Sequence, residues 1–347
     1  MKTRHWDRLG NGGLTFTNLS MGTAPLGNLY QAISDADAES TLEAAWQAGV
    51  RHFDTAPLYG AGTAERRLGR FLFQKDRADW TLSSKVGRLL KVCEPSQRLG
   101  VGKFFAIPSR AEVFDYSFDG VMRSVELSLE RLGLDRLDVL YAHDLDVFTH
   151  GSVALRDHYL QQFLDGGYRA CLALREQGVI RAFGAGVNET EACEWLAQRA
   201  DVDLFLLAGR YTLLEQTALD AFLPRCRERG TAVVIGGAYN SGILATGTRS
   251  SGPLLYDYGK APPALVARVQ AIEAVCDQFD VPLAAAALQF PLAHPAVASV
   301  IPGMASASRV AQTLALHARH IPGAFWRTLQ DKGLLRPDAP VPPGRDP

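Results

Sequence analysis

Residues 51 to 60 read RHFDTAPLYG. The apolar and aromatic residues at the start of this stretch are typical of a short buried strand that ends at Asp54. A turn of small residues follows, and it carries Tyr59 five positions after the acid. The stretch predicts a strand whose carboxyl end presents a carboxylate and a phenol, and the rest of the chain decides what sheet surrounds it.

Seven further segments share the length and apolar character of this strand. Helix-like segments lie between them, with apolar residues three and four positions apart. Four of these helices close on a glycine and are predicted over 35–49, 119–133, 168–178 and 218–230, the last bent or delayed by Pro224. The eight strand candidates are LSMGT (19–23), VRHFD (50–54), WTLSSK (80–85), LDVLYAH (137–143), IRAFGAG (180–186), DLFLLAG (203–209), TAVVIGG (231–237) and VASVIPG (297–303).

Strands that alternate with helices predict an α/β protein with a parallel sheet. Eight such units in about 320 residues favour a closed (β/α)8 TIM barrel. The alternative is an open doubly wound sheet, which usually carries G-x-G-x-x-G after its first strand. Here the first strand leads into MGTAPLGN (21–28), and GAGVNE (184–189) has only two of the three glycines and comes late. The motifs therefore favour the barrel.

Three kinds of segment lie outside the eight units. Residues 8–17 predict a hairpin that turns at Asn11-Gly12-Gly13 and plugs the barrel floor. Long loops follow the third, fourth and seventh strands at the C-terminal face of the barrel, and loops of such length are usually functional or mobile. These loops cover 86–117, 144–166 and 238–260.

The last segment, LLRPDAPVPPGRDP, contains five prolines and predicts an extended tail along the surface. We therefore expect a single barrel domain over residues 1–333 and a proline-rich tail over 334–347. Nothing in the sequence indicates the oligomeric state.

Composition excludes several classes of protein. The 347 residues carry 36 basic and 37 acidic side chains, a balance that gives no electrostatic case for nucleic acid or an anionic membrane. The apolar runs are too short to span a bilayer, and the N-terminus lacks the apolar core of a signal peptide. Five scattered cysteines without a C-x-x-C pair indicate reduced thiols in the cytoplasm rather than a zinc site or a cysteine nucleophile. We expect no bound metal.

A (β/α)8 barrel places its chemistry at the carboxyl ends of its strands. The second, third and fourth strands end in Asp54, Lys85 and His143, and Tyr59 follows the second. Taken singly, each has a structural interpretation: a helix cap, a solvated lysine, a satisfied histidine and a packed tyrosine. Together on neighbouring strands they predict one acid–base site.

The chemistry of these four groups is complementary. A phenol has a pKa of about 10, and a nearby lysine cation is expected to lower it. A buried lysine needs a carboxylate partner, here Asp54. The imidazole of His143 can hydrogen-bond and orient a substrate oxygen. Proton transfer at an alcohol oxygen without a metal or an activated nucleophile suggests hydride transfer at the adjacent carbon, which needs a nicotinamide cofactor.

The motifs FDTAPLYG, SSKVG and LYAHD resemble those of the aldo-keto reductase superfamily, and the resemblance extends over about residues 8–320. It implies a catalytic tetrad of Asp54, Tyr59, Lys85 and His143, with Tyr59 as general acid and base. It also implies a barrel that binds an extended nicotinamide cofactor without a Rossmann motif. The cofactor contacts that it implies are Gly22, Thr23, Asp54, Asn188, Gly236, Asn240, Ser241, Gly242, Leu244, Gly303, Arg309 and Gln312.

Two of these positions depart from the family pattern. Many relatives have Gly-Val-Ser-Asn after the fifth strand, and here the run is GAGVN, which leaves Asn188 as the partner for the carboxamide. Many relatives also stack a tyrosine on the nicotinamide after the seventh strand, where this chain has Gly236. Tyr239 lies three residues further on and is not an evident substitute.

Longer segments, among them HDLDVFTHG and VVIGGAYNSGILATG, resemble a bacterial branch that oxidises sugars at carbon 1. This branch comprises L-fucose or D-threo-aldose 1-dehydrogenases, and pyridoxal 4-dehydrogenases are very similar. The resemblance implies an NAD(P)-dependent dehydrogenase that oxidises an aldose to its lactone. The alternatives are a pyridoxal 4-dehydrogenase, a general carbonyl reductase, and a non-catalytic interaction subunit that keeps the cofactor.

The segment VIPGMASASRV (300–310) bears on the choice of cofactor. Relatives that use NADP have lysine or arginine here to pair with the 2′-phosphate. This chain has uncharged residues from Gly303 to Ser306, and only Arg309 is a cation. The sequence therefore predicts that NAD is preferred, with NADP possible through a basic residue near Arg249.

Overall fold

The structure is a computed structural model that describes residues 1–8, 10, 13–100 and 102–344. Its strands, in chain order, are β1 (Thr3–Trp6), β2 (Leu14–Thr17), β3 (Met21–Gly22), β4 (His52–Asp54), β5 (Thr81–Val86), β6 (Arg88–Val92), β7 (Arg110–Phe114), β8 (Val139–His143), β9 (Ala182–Val187), β10 (Leu204–Ala208), β11 (Ala232–Gly236), β12 (Leu255–Tyr256), β13 (Gly259–Lys260) and β14 (Val297–Val300). Eight of these strands form one parallel sheet in the order β14-β11-β10-β9-β8-β5-β4-β3.

Most of the helices follow the strands of this sheet and pack against its outer face, and three short ones lie in the long loops. The helices are α1 (Asp35–Gln47), α2 (Thr63–Leu72), α3 (Phe118–Leu132), α4 (Val147–His150), α5 (Val153–Gln162), α6 (Tyr168–Glu176), α7 (Thr190–Arg199), α8 (Phe222–Arg229), α9 (Ile243–Thr246), α10 (Pro263–Gln278), α11 (Leu283–Gln289), α12 (Ala307–Ala318) and α13 (Gly323–Asp331). Helix α1 starts at a capping box between Ser34 and Asp37, and α3 ends where Gly133 adopts a left-handed φ of 66°.

The two edges of the sheet meet and close the barrel. The amide of Ser20 donates to the carbonyl of Val300 at 2.9 Å, and the amide of Gly22 donates to Pro302 at 3.1 Å. The amide of Val300 donates in turn to Asn18 at 3.0 Å. All eight predicted strands belong to this sheet, so the predicted (β/α)8 barrel is confirmed.

The floor of the barrel is closed by the hairpin of β1 and β2. Leu14 and Phe16 of β2 are buried against the inward-facing side chains of the sheet, among them Val139 and Leu204. The hairpin pairs Thr3–Trp6 with β2, so it begins five residues earlier than the prediction. Its first strand escaped the prediction because it alternates exposed and half-buried polar residues. The predicted turn at Asn11 and Gly12 lies outside the described residues.

The three long loops contain secondary structure of their own. The first contains the antiparallel hairpin β6–β7, the second contains α4 and α5, and the third contains α9 and the short hairpin β12–β13. The proline-rich tail packs on the barrel, with Leu335 and Ala339 buried in the main core. Pro224 delays α8, which starts at Phe222 after a separate 3-10 turn.

Four of the five cysteines are buried free thiols, and Cys93 is partly exposed. Within the part of the chain that the structure describes, no helix has the length and apolar character needed to cross a membrane.

Candidate active site

The alternation of side chains along three neighbouring strands sends the predicted polar residues into the barrel. On β4, Phe53 faces the outer core while Asp54 faces inward, and on β8, His143 faces inward two residues after Tyr141. On β5, Ser83 and Lys85 share the inward face, and Ser83 Oγ donates to Asp54 Oδ1 at 2.7 Å. The same period therefore delivers the acid, the base and the imidazole to one cavity.

Lys85 and Asp54 form a buried ion pair at the carboxyl end of the barrel. The ammonium Nζ donates to Asp54 Oδ2 at 2.6 Å and to the carbonyl of Thr55 at 2.8 Å. Each of the two charged side chains is only 2% exposed. A buried ammonium group is tolerated only when it is paired and hydrogen-bonded, and both conditions hold here.

Tyr59 is held over this pair by a tightly packed turn. Gly60 has φ 65°, and a Cβ at this position would lie 2.2 Å from the carbonyl oxygen of Gly27, so no larger residue fits. The Lys85 ammonium lies 4.8 Å from the centroid of the Tyr59 ring. The ring meets that of His143 edge-on, with centroids 6.1 Å apart. The four residues of the predicted tetrad therefore lie together.

The environment of Tyr59 corrects one expectation from the sequence. Burial by the surrounding side chains raises the pKa of the phenol well above 10, and the carboxylates of Asp54 and Asp144 raise it further. Arg88 opposes this shift without reversing it. Burial is the largest of these effects and sets the direction, so the pKa is raised rather than lowered. The phenol of Tyr59 is thus neutral at neutral pH.

His143 is a neutral imidazole in this setting. Burial, together with the cations Arg88 and Lys85, holds its pKa well below 6.5. Its Nε2 lies 3.3 Å from Asp144 Oδ2, and its buried Nδ1 has no hydrogen-bond partner among the described residues. The hydroxyl of Tyr116 donates to the carbonyl of His143 at 2.5 Å and anchors the end of β8. A neutral imidazole can donate one hydrogen bond to a substrate oxygen.

A charged network missed by sequence reasoning adjoins the tetrad. The guanidinium of Arg88, on β6, is hydrogen-bonded to Asp144 and, at 2.5 Å, to Glu112 on β7. The sequence feature that could have pointed to Asp144 was its position directly after β8, next to His143. Arg88 gave no signal, because its hairpin lies inside a segment predicted to be a loop.

Asn188 joins the same network. Its Nδ2 donates to Asp144 Oδ1 at 3.0 Å and to Asp146 Oδ2 at 2.9 Å. Both of its side-chain donors are therefore directed to carboxylates, and its carbonyl oxygen is the group left to accept a bond from a carboxamide. Its assignment to the cofactor stays a prediction.

The other residues predicted to contact the cofactor lie along the carboxyl edge of the sheet. Gly22 and Gly303 bridge the closing strands, and Gly236 is the last residue of β11, the neighbour of β14. A Cβ at Gly303 would lie 3.0 Å from Pro25 Cγ, so backbone rather than side chains forms this surface. The amide and hydroxyl of Thr23 both donate to the carbonyl of Asp54 at 2.9 Å, which ties this edge to the tetrad.

The turn after β11 carries four more of the predicted contacts. Asn240 donates to the carbonyl of Gly209 at 3.1 Å, and its buried Oδ1 has no partner among the described residues. Asn240, Ser241 and Gly242 have left-handed φ values, and Leu244 is buried beneath them. An unpaired buried acceptor beside an open glycine-lined edge fits an extended dinucleotide.

Arg309 and Gln312 extend the same edge outward on α12, where both are exposed. Arg309 lies close enough to Tyr239 to oppose the rise of the tyrosine's pKa, which burial brings to about 12. Ser306 caps the helix by accepting from the amide of Arg309 at 3.2 Å. Arg249, the other cation considered for the 2′-phosphate, is paired with Asp277.

The chain thus folds as a closed (β/α)8 barrel with a buried polar cluster at the carboxyl ends of its strands. The profile of the Aldo/keto reductase family matches residues 18–333, and the chain belongs to this family. Family members use a nicotinamide cofactor.

Two individual relatives and one solved structure are similar to this chain over nearly its whole length. The chain is 44% identical to a pyridoxal 4-dehydrogenase from Microbacterium luteolum, over 94% of this chain and 97% of the relative. It is 40% identical to a D-threo-aldose 1-dehydrogenase from a Pseudomonas species, over 93% and 96%. The solved structure of aldo-keto reductase AKR11C1 from Bacillus halodurans, in its holo form, matches with a TM-score of 0.72 at 24% identity and covers 99% of this chain and 98% of its own. The last comparison bears on the fold alone.

Proposed function

We propose that the protein is an NAD(P)-dependent dehydrogenase that oxidises an aldose at carbon 1 to the lactone. The observation that carries the proposal is the cluster of Tyr59, Lys85, Asp54 and His143 at the carboxyl end of the barrel. The relative that acts as a D-threo-aldose 1-dehydrogenase supports a sugar as substrate.

In this proposal the oxygen on carbon 1 lies between Tyr59 and His143. His143 donates a hydrogen bond from Nε2 and orients the oxygen, since its depressed pKa leaves the ring neutral. The phenolate form of Tyr59 accepts the hydroxyl proton as the C–O bond becomes a carbonyl. A nicotinamide bound at this edge would accept the hydride from carbon 1, so the sugar would lose two electrons with that hydride and one proton to the Tyr59 phenolate.

Lys85 and Asp54 position and polarise Tyr59. The ammonium group faces the phenol ring at 4.8 Å and stabilises the phenolate that forms during oxidation. Asp54 pairs with the buried ammonium of Lys85, and its negative charge also raises the pKa of Tyr59. The same arrangement run backward donates a proton to a carbonyl, so the chemistry is reversible.

Pyridoxal is the second candidate substrate, and the relative with 44% identity favours it. The hemiacetal of pyridoxal yields a lactone by the same loss of hydride and proton, so the tetrad serves either molecule. The remaining alternatives are weaker. A cofactor-binding interaction subunit would have no use for the complete proton-transfer cluster, and a general carbonyl reductase would not explain the two dehydrogenase relatives.

The test is a spectrophotometric screen of NAD reduction at 340 nm with aldoses, among them L-fucose and D-threo sugars, and with pyridoxal. The proposal predicts turnover of at least one aldose, with a lactone as product. Turnover of pyridoxal alone would replace the sugar with the second candidate. Cofactor binding without oxidation of either class would refute a dehydrogenase.

A further inference from the structure

The ion pair of Arg88 and Asp144 lies beside the tetrad but has no part in the proton transfer. Arg88 is 9% exposed and Asp144 is 14% exposed, so both charges lie largely out of water. Removing ions from water costs free energy, and a well-packed apolar pair often serves stability as well. A buried pair at the mouth of the barrel therefore calls for a functional explanation.

The backbone aims Asp144 into the mouth. Asp144 has a left-handed φ of 54°, a conformation that non-glycine residues seldom adopt, and its amide donates to Gly186 at 2.7 Å. Strained positions of this kind cluster at functional sites. As a result the carboxylate Oδ2 lies 3.3 Å from His143 Nε2, the group assigned to the substrate oxygen.

Two side chains fix the orientation of the Asp144 carboxylate. The carboxylate can still accept further hydrogen bonds. Arg88 binds Oδ2 and Asn188 binds Oδ1. An ionised carboxylate offers about four lone-pair positions, so both oxygens keep capacity toward the cavity. A carboxylate only accepts hydrogen bonds, and the ligand group that suits it is a hydroxyl.

We propose that Asp144 binds the substrate by accepting a hydrogen bond from a second hydroxyl group near the reacting carbon. Arg88 and Asn188 are positioning residues that orient the carboxylate. The inference rests on the proposed function, because it places the reacting oxygen at His143. In an aldose the second hydroxyl is that of carbon 2. In the hemiacetal of pyridoxal it is the phenolic hydroxyl at carbon 3, so the substrate class is a hydroxylated hemiacetal.

If Asp144 binds the second hydroxyl, removing that hydroxyl from the substrate should lower kcat/KM. An analogue without it would leave the buried carboxylate desolvated and without its partner. Sites built to bind a substrate hydroxyl reject the analogue that lacks it by large factors. We therefore expect wild-type kcat/KM to fall at least about thirtyfold between an oxidised aldose and its 2-deoxy analogue.

The experiment compares this ratio in the wild type, Asp144→Ala and Glu112→Ala. Glu112 is a matched control because it pairs with the same guanidinium but lies on the far side, on β7. Asp144→Ala should bring the ratio of parent to 2-deoxy sugar to within about threefold of unity. Glu112→Ala should keep the wild-type ratio, even where it lowers stability.

Two outcomes would overturn the inference while leaving the proposed function intact. One is a wild-type ratio below threefold with the parent sugar well oxidised. The other is an unchanged ratio in Asp144→Ala. If that variant does not fold, Asp144→Asn keeps the shape of the side chain and should reduce the ratio about tenfold, and an unchanged ratio there also refutes the assignment. If pyridoxal is the substrate, its 3-deoxy analogue takes the place of the sugar pair. Failure to oxidise either class would refute the proposed function and this inference with it.

Discussion

The ammonium group of Lys85, which faces the ring of Tyr59, is also hydrogen-bonded to two oxygens. It donates to Asp54 and to the carbonyl of Thr55, and both bonds are shorter than 3 Å. Burial disfavours the phenolate form of Tyr59 most strongly, and the carboxylate of Asp54 disfavours it further. A side chain that the proposal uses as both acid and base is therefore set in its acid form at rest.

Replacing this tyrosine tests its role. We expect Tyr59→Phe to lower kcat by about 10² to 10⁴, the usual contribution of a positioned acid–base group. The NAD dissociation constant, measured by fluorescence titration, should stay within about threefold, because the proposal assigns the hydroxyl to the substrate oxygen and not to the cofactor. Tyr168→Phe is the matched control, since its ring packs on Phe183 outside the barrel. Retention of most activity in Tyr59→Phe would rule out the assignment.

The raised pKa of Tyr59 predicts the pH dependence. Oxidation needs the phenolate, whose fraction rises about tenfold per pH unit while the pH stays below the pKa. Because that pKa lies above 10, kcat for oxidation should rise continuously from pH 7 to 10 without a plateau. Reduction needs the protonated phenol and should be nearly flat over the same range. Initial rates in both directions measure this, and an oxidation plateau near pH 8 would show that the pKa is lowered instead.

At the scale of elements, the turn of the hairpin β12–β13 brings Tyr258 close enough to Tyr59 and Asp144 for both to add to the rise of its pKa, which is caused mainly by burial. This turn places Asp257 and Tyr258 in left-handed conformations, with φ values of 46° and 61°. Arg210 holds Asp257 through two hydrogen bonds of 3.0 and 2.9 Å. The ring of Tyr258 lies 6.1 Å from that of Phe148, on the loop after β8. Two long loops thus meet above the tetrad through an aromatic contact.

Loosening this hairpin should weaken substrate binding. We expect Asp257→Asn to raise KM for the substrate up to about fivefold, since a partly exposed ion pair is worth about 0.2–1 kcal/mol and the strained turn depends on it. The turnover number at saturation should change less, because the tetrad is untouched. Asp338→Asn is the control, as Asp338 pairs with Arg336 at two similar distances in the tail. An unchanged KM would show that the hairpin does not contact the substrate.

At the scale of the whole molecule, the predicted cofactor contacts follow one edge of the barrel from β9 to α12. Strands β9, β10, β11 and β14 are consecutive neighbours, so Asn188, Gly236 and Gly303 lie at the ends of adjoining or nearby strands. Arg309 continues this line on the first turn of α12. A binding edge this long is a property of the closed sheet, because its residues are far apart in the chain.

The charges along this edge predict the choice of cofactor. A 2′-phosphate needs strong charge-assisted contacts, and the residues just after β14 are uncharged. Arg249 is bound to Asp277 by hydrogen bonds of 3.0 and 2.5 Å, which leaves Arg309 as the cation along this edge of the described structure. We expect kcat/KM for NAD to exceed that for NADP at least about tenfold, which corresponds to roughly 1.4 kcal/mol.

A gain of function tests the same charge argument. Ser308→Arg adds a cation on the exposed face of α12 and should reduce the preference for NAD by raising kcat/KM with NADP. Ser308→Gln is a control of similar polarity without the charge. Equal or better efficiency with NADP in the wild type would contradict the prediction.

Most of the barrel was predictable, because each strand and its helix carry a local pattern of apolar residues. The elements inside the long segments were not, since β6 and β7 have mostly partly exposed side chains without a regular alternation and α4 spans a single turn. The tetrad was predictable for a related reason. Strand alternation assigns Asp54, Lys85 and His143 to one face, and parallel strands bring their carboxyl ends together.

The positions of the functional groups were thus encoded locally, whereas their electrostatics were decided by tertiary contacts. The pKa of Tyr59 is raised mainly by burial and further by Asp54 and by Asp144, which is far away in the sequence, and no local pattern indicated this direction. The pairing of Arg88 with Asp144 joins residues 56 positions apart. Residue order along one strand determines which side chains face inward, because the pleat has a period of two. The strength and sign of an interaction depend on distance and solvent exposure, and both exist only once the barrel has closed.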